Sequence, residues 1–142
     1  MDITECIKTL EDAISVLGND NQFVVDYYNL YDTTCPKDII AYAKLRIIAE
    51  ALNEGWKPTF DGVEHIYYPV FTIWQKDELN ELEKENFCVV PGTDNCTYFT
   101  NAFFDSSDEY SYTSSKIVFK TANLANYCGR QFIDIWADYL FS

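Results

Sequence analysis

Glycine is scarce in this sequence, at five residues in 142, and histidine is reduced to a single residue, His65. Together these shortages exclude most familiar catalytic frameworks. A loop that cradles phosphate needs glycines whose neighbouring N–H groups can face the ligand, and neither GxGxxG nor a P-loop pattern occurs. GxSxG and HExxH are also missing. General base chemistry requires a proton acceptor with a pKa near neutrality. The one histidine sits in Val63-Glu64-His65-Ile66 beside a turn, which predicts a surface side chain. The five cysteines (Cys6, Cys35, Cys88, Cys96 and Cys128) are odd in number and contain no CxxC pair. Zinc is held by closely spaced Cys and His ligands, so neither a metal nor another cofactor is expected, and unpaired thiols fit a reducing cytoplasm. No stretch approaches the roughly 18 apolar residues of a membrane span. The first residues, MDITECIKTL, are acidic and amphipathic, unlike the basic-then-apolar start of a secretory signal.

Positive charge is the next shortage. Ten basic residues face 23 acidic ones, for a formal charge of −13. A field of that sign repels phosphate backbones and anionic membranes, so direct nucleic-acid and membrane binding are not expected. Solubility accounts for such a charge, and a protein partner with a basic surface would be favoured by it. Aromatic residues, by contrast, are plentiful: 11 Tyr, 10 Phe and three Trp make up 17% of the chain. Rings can fill a small core, and a surplus can pave a contact surface, because Tyr and Trp are enriched at interface hot spots.

The apolar spacing of Ile3, Ile7, Leu10, Ile14 and Leu17 predicts one amphipathic helix over residues 3–17, stopped at Gly18. Residues 23–28 read either as a strand or as a short helix continuing toward Tyr31. A long helix follows, capped by Thr33 or Thr34 with Pro36 in its first turn. Ile39, Ile40, Ala43, Ile47, Ile48, Ala51 and Leu52 form its apolar stripe, and Gly55 and Pro58 end it. Residues 66–74 (IYYPVFTIW) read as a strand in which Pro69 marks an edge or a bulge. Lys76 to Glu85 reads as a charged helix. Phe87–Val90, Thr97–Phe104 and Lys116–Phe119 are further strand candidates, the last two separated by an acidic loop over 105–115. A final helix runs from a Thr121 cap to about Phe141, with Gly129 explained by close approach to the sheet. The expected fold is therefore one α+β domain, an antiparallel sheet of about three strands packed against two or three longer helices.

Two sets of residues stand out as candidates for binding. Trp56 directly follows a helix stop, and Tyr67, Tyr68 and Trp74 flank the proline of the strand. Rings fixed by Gly and Pro turns lose little entropy on binding, although they can equally close the core. The second set is Asp105, Asp108 and Glu109. Their loop lacks the glycine and terminal glutamate of an EF-hand, so it reads as a solvated acidic loop with no metal. No catalytic residue is assigned.

The run Lys44-Leu45-Arg46-Ile47-Ile48-Ala49-Glu50-Ala51-Leu52-Asn53-Glu54-Gly55-Trp56-Lys57-Pro58 resembles a segment of small proteins of phages and prophages of Bacteroides-type gut bacteria. The resemblance continues through Tyr67-Tyr68-Pro69-Val70-Phe71, Lys116-Ile117-Val118-Phe119-Lys120-Thr121, Leu124 to Phe132, and Asp138-Tyr139-Leu140. Where that family tends to have Ala-Gly-Lys, this chain has Cys128-Gly129-Arg130, which keeps the glycine and the positive charge. The resemblance implies a phage or mobile-element origin and a bacterial host cytoplasm, and it brings no catalytic or ligand residues with it. The expected role is non-enzymatic binding to a protein with a basic or aromatic-rich surface, with inhibition of a host defence protein as one form. A virion or assembly component and a DNA-mimic inhibitor are the alternatives.

Overall fold

The structure, a computed structural model, describes residues 2–31, 34–59, 64–75, 87–90, 93, 95–106 and 117–142. Among them the chain mixes helix and strand, as the α+β expectation requires. Four helices come first: α1 (Ile3–Cys6), α2 (Leu10–Leu17), α3 (Gln22–Tyr31) and α4 (Lys37–Leu52). Three strands follow, β1 (His65–Gln75), β2 (Phe87–Val89) and β3 (Asn95–Ser106), and then α5 (Ala122–Gln131) and α6 (Ile133–Phe141).

The single helix expected over residues 3–17 is two helices. Thr9 Oγ1 accepts from Asp12 N at 3.1 Å, while Asp12 Oδ2 accepts from Thr9 N at 3.1 Å and Lys8 N at 3.0 Å. This capping box starts a new helix at Leu10. Ile7, in the break, is fully buried, and Ile3, Leu10, Ile14 and Leu17 pack against the same core. The apolar spacing thus identified the buried side but not the continuity of the backbone. The ambiguous segment from residue 23 is helical, with Val24 and Tyr27 buried.

α2, α3 and the last two helices gather around α4. The expected stripe widens, because Ala41, Leu45 and Ala49 are buried along with Ala43, Ile47, Ile48, Ala51 and Leu52, whereas Ile39 is 44% exposed. A helix apolar nearly all round belongs in an interior. Pro36 occupies the N-cap position rather than the first turn, with ψ 148 and no side-chain cap bond. α3 is tied to α4 by charge stacked on a ring. The Arg46 guanidinium lies 4.1 Å from the Phe23 ring centroid and 3.8 Å from Asp26, and the Lys57 ammonium lies 5.7 Å from the same ring and 3.4 Å from Glu50.

The strands pair antiparallel in the order β1-β3-β2, so β1 and β2 are the edges. Tyr67 turns its N–H and C=O away from β3 to bond Phe119. Pro69, two residues on, has its nitrogen on that same outer edge, where no ladder donor is missed. The register irregularity falls one step later, between Val70 and Phe71. Residues 117–119 are not the further strand expected for 116–119; the bridge at Phe119 is isolated. The helix expected over 76–85 lies outside the described residues. The last helix is split at Phe132, whose carbonyl accepts from both Ile135 N and Trp136 N at 3.0 Å.

What holds the 117–121 segment is the side chain of Asn53, only 5% exposed. Its Nδ2 donates to Val118 O at 2.9 Å, and its Oδ1 accepts from Lys120 N at 3.1 Å. On the opposite edge, Phe119 N donates to Tyr67 O at 2.8 Å and Tyr67 N donates to Phe119 O at 3.0 Å. The segment is thus bonded on both edges, by a strand on one and by a single amide on the other. Beyond Asn53 the chain turns through two left-handed residues, Glu54 at φ 51 and Gly55 at φ 86.

Asn53→Ala should cost about 2–4 kcal/mol in urea denaturation, because it removes two hydrogen bonds to buried backbone. Asn53→Asp should cost at least as much, since a carboxylate cannot donate to Val118 O; a loss under about 0.5 kcal/mol in either variant would show that the segment is held by other contacts. Glu54→Gly should raise stability by up to about 1 kcal/mol, because relief of the left-handed conformation exceeds the worth of an exposed ion pair. The same denaturation series reads this out, and a lower midpoint would mean that the pair with Lys120 dominates.

Candidate binding site

The sequence candidates separate when placed on the fold. Trp56 is part-buried, and its indole N–H donates to Glu64 Oε1 at 3.1 Å. The other carboxylate oxygen of Glu64 accepts from Thr59 N at 2.8 Å and from Thr59 Oγ1 at 3.1 Å. One acid therefore clasps both sides of the turn that follows α4, and it holds Trp56 as part of that clasp. Tyr67 and Tyr68, adjacent in sequence, fall on opposite faces of β1 because side chains alternate along a strand. Tyr67 packs against the helical core along with Phe71, whose ring lies 5.5 Å from that of Trp136. Tyr68 belongs to the other face.

That other face gathers three of the expected positions. Alternation along β1 sets positions 66, 68, 70, 72 and 74 on it. Trp74, Cys96 and Val89 lie three abreast across the sheet, and Asp105 pairs with Ile66. Ile66 is fully buried at one end, Tyr68, Val70 and Thr72 are part-buried, and Val89 is 52% exposed. Trp74 and Asp105 are placed through their backbone register. Asp108 and Glu109 lie outside the described residues. Sequence reading missed Val70, Thr72 and Val89 as members of this face; the period of two in residues 66–74 carried the signal for Val70 and Thr72, while Val89 joins through its pairing with Cys96.

A concave feature lies where the N-terminal turn, the end of α4 and α5 come together. A groove of about 760 Å³ is lined by Asp2, Glu54, Lys120, Leu124, Asn126 and Arg130, among others. Its framework is well tied. Thr121 caps α5 by accepting from Leu124 N at 3.2 Å, Tyr127 donates its hydroxyl to Ile7 O, and Gln131 Nε2 donates to Lys8 O at 2.9 Å. Its charges are largely engaged: Lys120 Nζ is 3.7 Å from Glu54, and Asp2 accepts from both Thr4 N and Thr4 Oγ1. The Thr4 bonds hold the Asp2 carboxyl below its ordinary pKa. Asn126 Oδ1 has no hydrogen-bond partner.

Burial pushes the Cys128 thiol up to about 12, which keeps it protonated and inert. The Trp136 indole N–H, which makes no conventional hydrogen bond, sits beside this sulfur and acts against that shift. Burial also raises the Tyr127 and Tyr139 hydroxyls. His65 is exposed at the start of β1. Among the described residues, no group of three His, Cys, Asp or Glu side chains converges in a way that could hold a metal. No described helix is long and apolar enough to cross a membrane.

Glu64→Ala should speed hydrogen exchange of the Trp56 indole N–H at least tenfold by opening the clasp, measured by NMR; unchanged exchange would mean that packing alone protects the ring. The Cys128 thiol has a folded pKa above its ordinary value of 9.0, so its contribution to stability is whole below about pH 9 and is lost as pH climbs toward about 12. Between about pH 8 and pH 10.5, Cys128→Ala should therefore lose stability less steeply than the wild type, and parallel curves would contradict the shift. In sequence and structure alike, the comparisons with known proteins end without a relative: no protein-family model, curated protein or solved structure matches this chain.

Proposed function

We propose that the protein is a phage- or mobile-element-encoded accessory protein that acts in a bacterial host by binding a basic protein, without chemistry of its own, and that the binding inhibits its target. The observation that carries this reading is the sheet face opposite the helical core. It joins Tyr68, Val70, Thr72 and half-exposed Val89 to the register positions of Trp74 and Asp105, in a chain of formal charge −13. An aromatic and aliphatic centre in an acidic molecule suits a basic partner. Apolar contact supplies affinity, and the charge supplies the encounter rate and the rejection of acidic surfaces. The phage origin rests on the likeness of Lys44–Pro58 and the C-terminal segments to phage proteins.

Affinity capture from host lysate at low and high salt tests the proposal, using wild type, Val89→Asp and a control substitution in the groove, Asn123→Ala. One basic protein should stay on the wild type and on the control at both salts and be lost from Val89→Asp. Equal retention by Val89→Asp would remove this face from the interaction. Capture that disappears entirely at high salt would leave charge alone, and the reading would fail. Stoichiometric presence in purified virions would replace it with an assembly role.

A further inference from the structure

We draw no further inference here: the strongest candidate, the groove between the N-terminal turn, the end of α4 and α5, carries none, because its Lys120 is engaged by Glu54, its Arg130 is engaged as well, and the unpartnered Asn126 Oδ1 belongs to a side chain that is only part-buried.

Discussion

Two hydrogen bonds from one amide join the halves of this molecule. Asn53 ends the central helix, and its side chain offers a donor and an acceptor in the spacing that a neighbouring strand would offer to Val118 and Lys120. The backbone of that segment needs partners on both edges because it is buried: Ile117, Val118 and Phe119 are all nearly inaccessible. β1 satisfies one edge and Asn53 the other. The helical first half, the sheet and the last two helices all meet at this point. The ring of Phe119 lies in the same core as Leu45, Ile48, Leu52 and Leu124.

The distribution of charge follows from the same economy. With ten basic residues against 23 acidic ones, each cation has several acids available to it. Those near α4 are used twice over: Arg46 serves both Asp26 and the Phe23 ring, and Lys57 serves both Glu50 and that ring. Such pairs are part-exposed and contribute modestly to stability. Their effect is to fix α3 and the turn after α4 against the central helix.

Much of this architecture was legible in the sequence, and the misses have physical causes. The end of α4 at Leu52, the Gly18 stop and the strand around Pro69 follow from residues with strong local preferences. The break between α1 and α2 was hidden because Thr9 and Asp12, which make it, lie within an unbroken apolar spacing. Ile7 is buried by its position in the break and not by a helical face. The segment before α5 has strand composition but pairs with a side chain, which no pattern of apolar residues can announce. At the candidate site, Tyr67 and Tyr68 were expected together, and alternation along β1 parts them. Joining Tyr68 to Val89 required the register across β3, a long-range fact.

The Asn53 bonds also bear on the order in which the chain folds. They close loops of 65 and 67 residues, whereas the contacts of the capping box and turns around α1 to α3 are local. Closing a long loop costs entropy that only a largely formed partner surface can offset, so nonlocal contacts of this kind form late. The helical first half can assemble around α4 while the segment from 117 onward is still searching. The amide at the end of α4 is then expected to engage late in folding and to release early in unfolding. Interactions that form after the transition state govern how long the native state lasts more than how fast it is reached. If these bonds form after the transition state, Asn53 contributes to the lifetime of the folded molecule more than to the rate at which it folds.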